Sequence, residues 1–238
     1  MVVRLTPRGR RVIGAAALTL VIGLVTTIAI AASPAPRPPA SPAAAAPQVA
    51  APSKYVLLTF DDGPDPKYTP QILDILETYG AKATFFEVGR EISRHPELTL
   101  RIHQLGHSVQ NHTWTHADLR KLSWTSFKDQ IENTDEAIRA QTGYTPRCLR
   151  PPYGGVSTLV TKRAASLSKE LVLWSVDSRD WTRPGQAAIV QRVLTGVHSG
   201  SVILFHDGGG NRSQTVAALP TILKTLKARG YGFRLACL

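Results

Sequence analysis

The chain has 238 residues, 43% hydrophobic and 19% charged, a balance that excludes a disordered polyelectrolyte and suits one ordinary domain with additions. The net charge is +11, but residues 1–52 hold five arginines and no acid, so the remaining 23 Lys+Arg against 17 Asp+Glu leave +6 on the rest. Such a surface suits an anionic wall polymer or a membrane face. No aromatic residues interleave with the basic ones, so no nucleic-acid partner is expected.

Residues 1–11 form a basic patch with Arg4, Arg8, Arg10 and Arg11, and residues 12–32 run without a charge. About 20 apolar residues span a bilayer, and the basic flank is expected to stay cytoplasmic. The alternative is a cleavable signal peptide, for which Ala29-Ile30-Ala31 supplies a small-residue cleavage site. Both readings place the remainder extracytoplasmic, either membrane-anchored or secreted. Residues 33–53, rich in Ala and Pro, are expected to form a semi-rigid spacer.

From Lys54 to Leu238, short apolar runs alternate with helical patterns. Strands are expected at 55–60, 83–88, 108–111, 148–150, 171–176, 202–205 and 231–235, and helices at 70–79, 126–141, 186–197 and 215–228. The alternation implies parallel strands joined by crossovers. About seven such strands over residues 54–238 point to an α/β fold of the deformed or incomplete (β/α) barrel type. The polar residues fall at the strands' carboxyl ends: Asp61-Asp62, Asn111-His112, Arg150, Asp177 with Asp180, and His206-Asp207. In a parallel barrel those ends share one face, where such folds place their chemistry.

Taken singly, each group has an ordinary explanation. Thr59-Phe60-Asp61-Asp62-Gly63-Pro64 could be a solvated Asp-Gly-Pro turn. If strand geometry persists, its two carboxylates point apart, leaving one for a metal and one as a base. His112-Thr113-Trp114-Thr115-His116 has two imidazoles four residues apart, which a helical turn would place on one face around one cation. Two histidines and a carboxylate with open positions describe a catalytic metal site. Arg150, before Pro151-Pro152-Tyr153, is always charged and could orient Asp61 by a two-point contact. Asp177-Ser178-Arg179-Asp180-Trp181 offers carboxylates and a ring able to stack on a sugar or cap the core. His206, ending the apolar Leu204-Phe205 run, titrates near neutrality. Cys148 and Cys237 can form one bridge in an exported protein and are ordinary buried thiols in a cytosolic one.

In order and spacing, these segments resemble the polysaccharide deacetylases of carbohydrate esterase family 4: the TFDDGP motif at 59–64, HxxxH at 112–116, RxPY at 150–153, DxxDW at 177–181 and LxHD at 204–207. The resemblance implies a divalent metal held by Asp62, His112 and His116, usually zinc, with cobalt or another divalent ion as alternatives. It implies Asp61 as general base, tethered by Arg150, and His206 as general acid, tuned by Asp180. The Tyr153 N–H would help hold the oxyanion, and Tyr153, Trp181 and Leu204 would bind substrate. The implied partner is an acetylated aminosugar polymer or oligomer, peptidoglycan before chitin oligosaccharide. Rival readings are an O-acetyl xylan esterase of the same family, a glycan-binding domain without activity, and a non-haem iron oxygenase. Asp61 and His206 argue against the last two, which have no use for a base and an acid.

Overall fold

The computed structural model describes residues 53–237. The expected basic N-terminus (1–11), the membrane span or signal (12–32) and all but Ser53 of the spacer (33–53) lie outside the described residues. Among those described, no helix is long and apolar enough to cross a membrane.

Eight strands form the sheet: β1 Lys54–Asp61, β2 Ala83–Glu87, β3 Ser108–Asn111, β4 Cys148–Leu149, β5 Glu170–Leu171, β6 Val176–Asp177, β7 Val202–His206 and β8 Tyr231–Phe233. Seven follow the order β5-β4-β3-β2-β1-β7-β6, every pair parallel, and β8 pairs with the beginning of β1. The expected strand at 171–176 is in fact two strands at opposite ends of this order. Four residues, 172–175, carry the chain from one edge to the other, so the curled sheet meets itself through backbone rather than ladder hydrogen bonds.

Among the described residues seven α-helices cover the sheet: α1 Tyr68–Thr78, α2 Gly89–Arg94, α3 Pro96–Gln104, α4 Trp124–Thr142, α5 Thr158–Ser166, α6 Gln186–Gly196 and α7 Ser213–Ala228. Four match expectation; α2, α3 and α5 were not foreseen. Alternation along β1 sets the layers. Val56, Leu58 and Phe60 join the main core with Ile72, Leu73 and Leu76 of α1 and Leu219, Ile222 and Leu223 of α7. Phe60 stacks on Phe85 of β2 (5.1 Å between centroids) and Phe205 of β7 (5.5 Å), its register partners on either side. The intervening Thr59 and Asp61 point to the other face, where both meet the Arg150 guanidinium.

The strands' amino ends are closed by a C-terminal strap. Arg234 N donates to Val56 O (3.0 Å), Ala236 N to Thr84 Oγ1 (2.9 Å), and Cys237 bonds to Cys148 of β4. The strap thereby ties β1, β2 and β4 together, and the two cysteines pair across a sequence separation of 89.

Candidate active site

At the strands' carboxyl ends a cleft of about 680 Å³ is lined by residues that include Asp61, Asp62, His112, His116, Tyr153, Trp181, Leu204 and His206. Of the ten residues given a role from the sequence, these eight line it directly. Arg150 and Asp180 lie buried behind it.

Asp61 ends β1, and its Oδ1 accepts a hydrogen bond from Arg150 Nη1 at 2.7 Å. Arg150 is fully buried and spends its other donors on Thr59 Oγ1 (2.8 Å), Val172 O (3.1 Å) and Leu173 O (3.1 Å), with Phe86 beneath it. Burial lowers the guanidinium pKa and Asp61 raises it. The group stays charged, as arginine does in proteins.

Asp62 does not continue the strand. Its φ of 74° turns the side chain back toward the cleft, so the two carboxylates converge instead of diverging. His112 Nε2 lies 3.7 Å from Asp61 Oδ2 and 3.4 Å from Asp62 Oδ1. Close packing maintains the bend: a Cβ on Gly208 would meet Asp62 O at 2.1 Å, and one on Gly209 would meet Asp62 Oδ2 at 2.6 Å. Burial would raise the Asp62 pKa, but the nearby imidazoles, His112 foremost, hold it well below the carboxylate range.

The two histidines are not on a helical turn, contrary to expectation. Residues 112–116 form an irregular loop with Thr113 at φ 69° and His116 at φ 59°. The rings still come within 5.0 Å, because the Asn111 side chain accepts from Thr113 N (2.8 Å) and fixes the reversal. The Arg150 carbonyl, which can only accept, lies 2.6 Å from His112 Nδ1. The proton is therefore on Nδ1, and the Nε2 lone pair faces the cleft.

A metal's fit can be tested on these groups. One ligand atom from each of Asp62, His112 and His116 falls within 4.8 Å of the others. Asp62 Oδ1, nearest both imidazoles, is buried with no hydrogen-bond partner among the described residues. An unpartnered buried carboxylate oxygen between two imidazoles fits a divalent cation.

On the opposite wall, His206 Nδ1 donates to Asp180 Oδ1 at 2.7 Å, leaving its second nitrogen to the cleft. Asp180 is in turn held by His206 N (2.9 Å) and Thr215 Oγ1 (2.7 Å). Burial opposes the His206 charge, yet Asp180, Asp61 and Asp62 raise its pKa to about 9. Tyr153 takes φ 60° at the cleft's mouth, 69% exposed, its hydroxyl 3.2 Å from His116 Nδ1; Trp181 is 51% exposed. Neither ring is a core cap.

Several groups escaped sequence reasoning: Trp174, Arg183, Asn211 and Arg212 line the same cleft. Asp207, named from the sequence without a role, is fully buried, where burial and nearby Asp62 and Asp61 push its carboxyl up to about 7 despite the hydrogen bond from Thr69 Oγ1. A Cβ on Gly63 would meet its carboxylate at 2.2 Å, so Gly63 makes room for it.

Residues 48–172 match the sequence profile of the polysaccharide deacetylase family. The chain belongs to that family. A peptidoglycan-N-acetylglucosamine deacetylase of Bacillus cereus is 42% identical over 76% of this chain and 85% of its own length. A chitooligosaccharide deacetylase of Sinorhizobium fredii is 43% identical over 77% of this chain and 90% of its own. Among solved structures, a peptidoglycan N-acetylglucosamine deacetylase in complex with 4-naphthalen-1-yl-N-oxidanyl-benzamide superimposes with a TM-score of 0.74, at 39% identity, over 76% of this chain and 85% of that one. The polysaccharide deacetylase family thus accounts for the curled barrel and the five motif segments that meet in one cleft.

Proposed function

We propose that this polysaccharide deacetylase removes N-acetyl groups from N-acetylglucosamine units of a glycan, peptidoglycan before chitin oligosaccharide, releasing acetate. The observation carrying the residue assignments is that Asp61 and His206 flank the Asp62–His112–His116 cluster, each fixed at 2.7 Å by its own buried partner of opposite charge. A glycan-binding module has no need of either pair, and an iron oxygenase has no need of a base and an acid.

Asp62, His112 and His116 would hold a divalent metal, zinc being our assignment; bound there, it would acidify a water and polarise the acetyl carbonyl. Asp61, kept in place by Arg150, accepts the proton of the attacking water. The Tyr153 N–H at the cleft's mouth steadies the oxyanion. His206, with Nδ1 committed to Asp180, delivers a proton from Nε2 to the departing amine. Tyr153 and Trp181 give the sugar its aromatic walls, and Leu204 lines the acetyl pocket. Xylan O-acetyl esterase activity uses the same groups but needs His206 less, since an alkoxide leaves more readily than an amide ion.

We place the domain outside the cytoplasm, anchored or secreted. The Cys148–Cys237 bond suits an oxidising compartment, and the charge-free run at 12–32 suits export. Mass spectrometry of products from peptidoglycan and from chitin oligosaccharides tests the function. Loss of 42 Da per sugar (an acetyl exchanged for hydrogen) is expected; intact acetyl groups on both substrates would refute it.

A further inference from the structure

The reaction centre takes an acetylated aminosugar, but the wall beside it speaks to what else the glycan carries. Two arginines on separate loops line that wall, Arg183 after β6 and Arg212 after β7. Arg212 is only 5% exposed. Its Nε donates to Gly208 O at 2.6 Å, while Nη2 stands 3.9 Å from Asp62 Oδ2, too far for a hydrogen bond. Neither Nη atom makes a hydrogen bond among the described residues. The stem is packed away while the Nη atoms open onto the cleft, where a ligand can reach them.

Arg183 is held at φ 55° by its own N–H donating to Asp180 O (2.9 Å), and its side chain is exposed. The cleft's three lining acids are otherwise engaged. Asp61 is tied to Arg150, Asp62 faces the histidines, and Asp177 Oδ1 accepts from Arg179 N at 2.8 Å. Beside Arg212 begins the 16-residue α7, whose amino end carries partial positive charge. Among the described residues Arg183 makes no ion pair, and the only one Arg212 makes is the 3.9 Å approach to Asp62, which also faces the histidines.

We infer that Arg183 and Arg212 form a carboxylate-binding wall. The substrate is then an acetylated glycan carrying carboxylates, as peptidoglycan does in its lactyl ethers and stem peptides, in preference to an uncharged chitin oligomer. This inference rests on the deacetylase reading above and narrows its substrate.

The test crosses enzyme charge with substrate charge. Wild type, Arg183→Gln, Arg212→Gln and the double variant are assayed by kcat/KM on chitooligosaccharide, on solubilised peptidoglycan strands, and on the same strands with carboxylates converted to carboxamides. A charge-assisted hydrogen bond is worth about tenfold or more, so amidation should cost wild type about tenfold and the double variant no more than about twofold. Bound metal is measured in each variant. If Arg212→Gln loses it, the single Arg183→Gln variant decides, and its sensitivity to amidation should fall at least about threefold. Equal sensitivity in wild type and variants, or none in wild type, overturns the carboxylate wall while leaving deacetylation intact. Failure of wild type to deacetylate any of the three substrates removes both.

Discussion

The two ends of the barrel are built on opposite terms. At the amino ends the C-terminal strap pairs with β1 and β2 and is covalently joined to β4. At the carboxyl ends the backbone is held in unfavourable conformations: Asp62, Thr113, His116, Tyr153, Arg179 and Arg183 all have positive φ. Six of the eight non-glycine residues in the left-handed region among the described residues lie on this face, against Ser168 and Cys237 at the other, and each costs of order 1–3 kcal/mol. The same face buries the charges of Arg150 and Asp180. The stapled end contributes stability, and the strained end converts it into a fixed array of charges.

If that division holds, changes at the carboxyl face should abolish chemistry with little effect on folding, and changes at the strap the reverse. Substitution of a metal ligand should have the largest effect. Asp62→Ala or His116→Ala is expected to lose bound metal and all measurable deacetylation together; full activity in strong chelator would break the metal assignment. Next come Asp61→Asn and His206→Ala. Both should keep the metal and lose roughly 10²–10⁴ in kcat. His206→Ala should also depress amide hydrolysis more than ester hydrolysis, and an unchanged amide-to-ester ratio would reassign the acid.

The strap gives an intermediate effect of the opposite kind. Cys148→Ser with Cys237→Ser should lower unfolding stability by about 4 kcal/mol, as expected for a long closed loop, while kcat in the folded fraction changes less than about threefold. A large loss of kcat at unchanged stability would show that the two ends are not separable.

The smallest effect is on pH dependence. As the proposed acid, His206 must be protonated, so activity should fall as pH rises through its folded value, which is about 9 without a cation. A cation at Asp62 cancels part of the field raising that value, so the alkaline limb should lie at or below about pH 9. Asp180→Asn removes the principal raising charge and should move the limb to lower pH. The stability sign agrees: a histidine raised from 6.5 contributes stability fully present below about pH 6.5, and lost as pH climbs toward 9. An alkaline limb unmoved in Asp180→Asn would detach Asp180 from His206.

What the sequence made legible was whatever lies in consecutive residues. The strands with long apolar runs and the residues at their ends could be read directly, because strand-to-face geometry follows from a parallel barrel. The left-handed conformations could not. Asp62, Thr113 and His116 carry no glycine signal, so the carboxylates were expected to diverge and the histidines to sit on a helix; tertiary packing overrides both. The short α2 and α3, flanking His95, lack a long periodic stretch. The continuous apolar character of residues 171–173 concealed the passage from β5 to β6. Trp174, Arg183 and Arg212 lie in loops whose direction only the folded chain determines.

That passage gives Arg150 a second duty. Its guanidinium reaches Asp61 and Thr59 on β1 and also the carbonyls of Val172 and Leu173, on the four-residue seam where the sheet fails to close. One side chain thus ties the barrel's seam and aims the carboxylate proposed as its base. Lineages that abandon hydrolysis while keeping this architecture are therefore expected to shed Asp61 or His206 well before Arg150. In a sequence of this shape, the arginine testifies to a closed barrel, and only the groups it serves testify to a working enzyme.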